Sequence, residues 1–350
     1  MGRAKKLMVA AVITSIAVAA AGCSSSANSS SASSGNGTST SGASSAAGPS
    51  VSLKLGDVLS STDSGTAALN YFAGKVSSLT GGKVKITIFP NGQLVSEQDI
   101  VSELRSGAVD MGLASDDFWN TITPGIDALS YPYKVTSWSQ AQAIATNSAV
   151  NAYLSSEYQK MGVHYIADLP YTWKELLSTA QVSQPGQVKG FKVSTAGGDL
   201  PYLSALGMTP DVMNNTDLYE GLLTHTVSAS NISVSQIISL KLYEVAKYLT
   251  EYNLYMIWLP VIMSDNAWNK LSAAQQSDLT SAGQAMVAQQ ISGAQAAEKS
   301  WDATLTSNGV HITSVSDFSP WEATQSSLVT GQVSQSAVAT KILSLAAAAS

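Results

Sequence analysis

Polar and apolar positions change character twice before the chain settles into a folding pattern. Residues 7–21 form a nearly continuous apolar run behind a basic head of Arg3, Lys5 and Lys6. Residues 24–50 are almost all Ser, Ala, Gly, Thr and Asn, with no large apolar side chain. From Val51 onward, short alternating stretches and helical periodicities take turns. Alternation in Val51–Asp57 and Val84–Phe89 predicts two strands. Between them Ala67, Ala68, Tyr71, Phe72, Val76 and Leu79 fall at helical spacing, closed by Gly81-Gly82. A helix over Glu97–Ser106, stopped by Gly107, and a short buried strand over Val109–Ala114 follow. This β-α-β-α-β opening predicts a largely parallel sheet.

The same reading predicts one helix over Ser139–Lys160 and strands over Val163–Asp168, Leu176–Val182 and Phe191–Thr195. Short helices are expected at Leu200–Leu206, Asp217–Thr224 and Val234–Ser239, and a short strand at Thr226–Ala229. Tyr252–Val261 should be a strand returning to the core. Ala273–Asn308 reads as a long helix, Val310–Val315 as a strand, and the remainder as helical. The fold class is α/β throughout.

The apolar head ends in Ala20-Ala21-Gly22-Cys23, and Cys23 is the single cysteine among 350 residues. A basic head, a short apolar run and a cysteine preceded by small residues read as a secretory signal with a lipoprotein-type cleavage site. Residues 1–22 are then a signal peptide and residues 23–50 a lipidated, Ser-rich tether, too poor in apolar surface to fold. This places the mature chain outside the cell membrane, on its outer face. Ala20 departs from the Leu or Val common at that position, so an ordinary signal peptide is the competing reading.

Removing the signal leaves 15 Lys and Arg against 24 Asp and Glu, a formal charge of −9. That balance argues against nucleic acid as a partner. With Cys23 lipidated no disulfide forms, and His164, His225 and His311 lie too far apart in sequence to suggest a metal site. No nucleophile elbow, phosphate loop or dinucleotide fingerprint occurs, so no catalytic residue and no cofactor is assigned. About 300 residues remain for the folded part, enough for two lobes.

Several stretches form an ordered series. They include Leu79-Thr80-Gly81-Gly82-Lys83-Val84-Lys85-Ile86, Phe89-Pro90-Asn91-Gly92-Gln93-Leu94 with Glu97, and Leu104-Arg105-Ser106-Gly107-Ala108-Val109-Asp110-Met111-Gly112. Further on come Leu129-Ser130-Tyr131-Pro132-Tyr133, Val188-Lys189-Gly190-Phe191-Lys192-Val193, Leu206-Gly207-Met208-Thr209-Pro210, Tyr243–Thr250 and Trp268-Asn269-Lys270-Leu271. In this order and spacing, over about residues 52–330, the chain resembles the DctP-type extracytoplasmic solute-binding proteins of tripartite ATP-independent periplasmic (TRAP) transporters. The resemblance implies a two-lobed, periplasmic-binding-protein-like fold with a cleft between the lobes and a long helix crossing both. Lobe I would span 51–171 plus 260–298, and lobe II 172–259 plus 299–345.

The chain departs from that family at its anion clamp. The family's carboxylate-forking arginine falls two residues after the lysine of a Lys-Gly-Leu-Lys-Ile-Arg-like strand, and here the position is Ser194. A hydroxyl donates one hydrogen bond and carries no charge. Ser228-Ala229-Ser230-Asn231-Ile232-Ser233 stands where the family has an Asp-Gly-Gln-Glu-Asn-Pro-like run, leaving Asn231 as its one amide. Lys174 aligns with a second basic position of the family; a solvated lysine beside Glu175 is the plain alternative. Ser115 and Asp116 follow a strand's C-terminal end, where α/β sheets bind ligands. With Trp173 and Tyr202, placed by the landmarks, the expected ligand-binding set is Ser115, Asp116, Trp173, Lys174, Ser194, Tyr202 and Asn231. Trp258 and Trp268 are expected in the core.

The expected function is capture of a small polar solute, an organic acid or a neutral sugar- or polyol-like molecule. Delivery would be to the membrane permease subunits of a TRAP-type secondary transporter. A sensory or accessory lipoprotein of the same fold is the alternative, and an extracellular enzyme a weaker one. Neither metal nor nucleic acid is expected as a partner.

Overall fold

The structure is a computed structural model, and it describes residues 48–350 apart from Ala196. The expected signal peptide, Cys23 and all but the last three residues of the expected tether lie outside the described residues. The elements run β1 (Val51–Asp57), α1 (Ser64–Leu79), β2 (Val84–Phe89), α2 (Ile100–Ser106), β3 (Met111–Leu113), α3 (Asp116–Asn120), α4 (Trp138–Thr146) and α5 (Ser148–Lys160). Then come β4 (Val163–Ser178), β5 (Lys192–Thr195), α6 (Leu200–Ala205), β6 (Thr209–Val212), α7 (Leu218–Leu223), β7 (Ala229–Ser233) and α8 (Val234–Ser239). The chain closes with β8 (Tyr248–Glu251), β9 (Met256–Ser264), α9 (Asp265–Trp268), α10 (Ala273–Ser307), β10 (His311–Ser314), α11 (Ser319–Gln335) and α12 (Ala337–Ala349).

Side-chain caps explain several boundaries. Asp63 accepts from the Gly65 N–H at the start of α1, and Ser272 with Gln275 forms a capping box at the start of α10. The helix expected over 139–160 is two helices. Asn147 sits between them in an extended conformation (φ −74°, ψ 123°), closing α4 and accepting from Ala149 and Val150 N–H to start α5.

The strands form a mixed sheet in the order β2-β1-β3-β9-β4-β7-β5-β6, with β8 beside β4 and β10 beside β8. The expected largely parallel sheet is therefore corrected. β1–β2, β1–β3, β5–β6, β5–β7 and β8–β10 are parallel, but every pairing made by β9 and β4 is antiparallel. The strands expected at 163–168 and 176–182 are one 16-residue strand, β4. Its first part, to Trp173, pairs with β9; from Lys174 it pairs with β7, and from Leu176 also with β8. Lys174 thus stands where the central strand changes partners.

Two apolar cores flank that changeover. The larger includes Leu55, Leu69, Phe72, Trp119 and Trp258, and takes Leu279, Met286 and Ile291 from α10. The smaller joins Leu177, Leu222, Ile237 and Leu249 to Trp301 and Leu305, farther along the same helix. α10 runs against α1 and β4 and on to α8 and β10. Its close approach to β4 depends on Gly283: a Cβ there would lie 3.0 Å from Ile166 Cγ2 and 3.1 Å from the Ile166 carbonyl oxygen. Trp321, Val329, Ile342 and Ala346 of α11 and α12 join the larger core. No helix among the described residues is long and apolar enough to cross a membrane.

Candidate functional site

A cavity of about 140 Å³ lies beside the changeover on β4. One side is formed by Leu59, Glu97, Gln98, Ser115 and Phe118, the other by Thr195, Met213, Ser230, Asn231 and Gln236. Tyr171, Lys174, Tyr255 and Ile257 lie between them. Strict alternation would send Tyr171 and Lys174 to opposite faces of β4. They share the cavity because the pairing slips: Pro170 faces Trp258 and Trp173 faces Met256, so three steps along β4 match two along β9. This bulge also accommodates Pro170, which has no N–H to give to a ladder.

A buried polar network forms one wall. The Asp199 carboxylate, 1% exposed, receives hydrogen bonds from Thr195 Oγ1, Tyr255 Oη and Asn231 Nδ2, the last at 2.9 Å. Lys174 Nζ lies 3.3 Å from its Oδ2 and also donates to the Asn231 carbonyl at 3.4 Å. Tyr252 Oη donates to Asn231 Oδ1 at 2.6 Å. A buried carboxylate is tolerated only with such partners, and removing the cation from a pair of this kind destabilises by about 3–5 kcal/mol.

Other polar contacts reach across the cavity. Gln98 Nε2 donates to Asn214 Oδ1 at 3.0 Å, and the Gly198 N–H donates to Asp117 Oδ2 at 3.0 Å. Asp63 Oδ2 accepts from Tyr171 Oη at 2.6 Å and Ser235 Oγ at 3.0 Å, tying α1 to β4 and α8. Burial pushes the Glu97 carboxyl up to about 7, Asp117 adding to the rise and Lys174 opposing it.

Beneath α3 lies a second group of acids: Asp116, Asp127 and Asp168. Asp116 Oδ2 accepts from Ser130 Oγ at 2.7 Å, but each of the three carboxyls has one buried oxygen without a partner. Burial drives all three carboxyls upward, Asp127 to about 7 and Asp168 to about 8; repulsion from neighbouring acids adds to the rise at Asp116 and Asp127. Asp168 is thereby held largely protonated near neutral pH. No group of three or more His, Cys, Asp or Glu among the described residues is placed to hold a metal.

The structure brings Ser115, Lys174 and Asn231 together at the cavity. Asp116 turns beneath it, toward Ser130. Trp173 is on the opposite face of β4, edge-on to Trp138 with ring centres 6.4 Å apart. Ser194 is fully buried, its Oγ 3.5 Å from the Ala229 carbonyl, and its neighbour Thr195 faces the cavity instead. Tyr202 packs edge-on against Tyr255 at 6.3 Å and donates to Gln332 Oε1 at 3.1 Å. Trp258 is fully buried in the core, as expected, and Trp268 packs partly buried against it.

Sequence reasoning missed Glu97, Thr195, Asp199 and Tyr255 as site residues. Glu97 stood inside a landmark run and Asp199 directly after Gly197-Gly198, so both had a local signal. Tyr255 had none, since its role depends on Asp199, 56 residues away.

A family model described as bacterial extracellular solute-binding protein, family 7 (DctP), matches residues 55–335. The chain is 26% identical over 236 residues to the 2,3-diketo-L-gulonate-binding periplasmic protein YiaO of Escherichia coli K12, covering 67% of this chain and 72% of that protein. Among solved structures it is similar to DctP7, a Bordetella pertussis extracytoplasmic solute receptor binding pyroglutamic acid. The TM-score is 0.79 at 16% identity, over 85% of this chain and 99% of that one. A TRAP periplasmic solute-binding protein of Sulfitobacter sp. NAS-14.1 with bound β-D-galacturonate matches with a TM-score of 0.78 at 20% identity, over 84% and 98% of the two chains. The fold is theirs, and the chain belongs to the family 7 solute-binding proteins.

Proposed function

We propose that this family 7 protein is a lipid-anchored extracytoplasmic receptor that captures one small polar solute and passes it to TRAP-type permease subunits. Binding, not catalysis, is its task. The observation that carries this reading is the partly open cavity at the β4 changeover, where apolar side chains surround a few placed polar groups and the Gln98–Asn214 and Gly198–Asp117 hydrogen bonds join its two sides. Two lobes, 51–171 plus 260–298 and 172–259 plus 299–345, would close on the solute and present one docked surface to the permease. Lipid on Cys23, followed by the Ser-rich segment to residue 50, would keep the receptor near that partner while leaving closure free.

The test is thermal unfolding of the full chain against a broad collection of sugar acids, hydroxy acids, dicarboxylates, polyols and amino compounds. A solute present at a hundred times its Kd stabilises by about 2.7 kcal/mol, a rise of roughly 5 °C for a chain of this size. Stabilisation by one solute class, confirmed by calorimetry with unchanged recovered solute, is expected. Turnover of the solute, or no stabilisation by any compound, overturns the reading.

A further inference from the structure

The charges at the cavity are not evenly divided between cation and carboxyl. Asp199 collects the donors. Lys174, Asn231, Thr195 and Tyr255 all direct hydrogens at its two oxygens. The Asn231 amide is satisfied on both sides, giving to Asp199 and accepting from Tyr252. Lys174 is the one cation among the described residues lining the cavity, and its charge is matched by the carboxylate it touches.

The uncharged groups left at the cavity, among them Ser115, Ser230 and Gln236, can both give and accept hydrogen bonds, so the charged groups set the preference. Glu97 lines the cavity and has neither a hydrogen-bond nor an ion-pair partner among the described residues. Asp117 stands behind the Gly197–Gly198 turn, with one oxygen on the Gly198 N–H and the other without a partner. Glu97 is therefore a carboxyl on this space beyond the one that neutralises Lys174, and Asp117 sits behind the lining. Ser194, at the position where the resemblance puts an arginine, gives its hydroxyl to a backbone carbonyl and does not reach the cavity.

An anionic solute would find Lys174 already neutralised by Asp199, would compete with that carboxylate for its charge, and would lie beside Glu97. Stripping the cation from a buried carboxylate is strongly unfavourable, and like charges at short range add to it. A solute that brings a positive charge and its own N–H and O–H groups meets no such opposition. It gives Glu97 the partner it lacks and makes a charge-assisted hydrogen bond there.

We propose that the solute is a small amine, a hydroxylated compound whose protonated amino group seats against Glu97. The proposal rests on the solute-receptor reading above. Within that reading it assigns Glu97 as the residue that selects for charge and Asp199 as the residue that removes Lys174 from anion binding.

The test compares three carbon skeletons, each with three end groups. The amine probes are ethanolamine, serinol and D-glucosamine; the neutral ones are ethylene glycol, glycerol and D-glucose; the acids are glycolate, glycerate and D-glucuronate. Calorimetry on the full chain at pH 7.5 is expected to show binding by at least one amine and at least tenfold weaker binding by its neutral and acidic counterparts. Glu97→Gln keeps size and polarity and is expected to weaken that amine at least tenfold, with thermal unfolding reporting that the variant folds. Binding by a neutral or acidic probe in preference to its amine, binding by no amine, or an amine indifferent to Glu97→Gln each overturns the proposal. An acid or polyol that binds unchanged leaves the receptor reading standing; that reading fails if the broad collection yields no binder or if the bound solute is turned over.

Discussion

Replacing Asp168 by Asn should make the protein more heat-stable at pH 7.5 and change little at pH 4.5. Asp168 is 5% exposed, and one of its oxygens has no partner among the described residues. Burial pushes its carboxyl from 3.8 to about 8. Because the folded value is raised, the neutral acid's contribution to stability is complete below the unfolded value and is lost as pH rises through the folded one. Across that window the unfolded chain is ionised while the folded chain holds a proton. Each pH unit in the window weakens the fold by roughly 1.4 kcal/mol, giving a ceiling of about 5 kcal/mol at pH 7.5. Local relaxation and water entry around buried ions lower this to a working figure of about 2 kcal/mol. At roughly 2 °C per kcal/mol for a chain of this size, Asp168→Asn gains about 4 °C at pH 7.5. Scanning fluorimetry of both chains from pH 4.5 to 8.5 should show the two unfolding curves converging toward low pH. A gain that is the same at every pH, or a loss at every pH, would refute the assignment of the penalty to ionisation.

Two further outcomes test other parts of the molecule. A Cβ on Gly198 would enter the Asp117 carboxylate. Gly198→Ala should therefore break the bond across the cavity and weaken solute binding about tenfold, while the unliganded chain loses no more than about 1 kcal/mol; calorimetry and thermal unfolding together check this, and unchanged affinity would count against a role in closure. Cys23→Ser should abolish incorporation of an alkynyl fatty acid and release the chain from membranes, as read by labelling and fractionation; retained label would sink the lipoprotein reading.

Much of the architecture was legible along the chain, and the misses have local causes. The first three strands and the intervening helices announced themselves by period and by Gly stops, because each such signal lies within a few residues. The helix at 139–160 was read as one because Asn147 is unremarkable in a polar face; its two capping bonds appear only when the backbone turns there. β4 was broken into pieces because Pro170 and the polar run Tyr171–Glu175 look like a loop. The strand continues through them because β9, and then β7, supplies partners from 57 to 88 residues away.

The sequence by itself determined the α/β class, the family landmarks and the absence of an arginine at position 194. Those are properties of composition and local order. It also named Ser115, Lys174 and Asn231, which the fold gathers at one cavity. Only the tertiary structure decided what Lys174 does there. The bulge at Pro170–Trp173 turns it toward the cavity, and Asp199, 25 residues further along the chain, meets it with an opposite charge. A charge's function depends on its nearest partner in space, and Coulomb attraction across 3.3 Å leaves no trace in the order of residues.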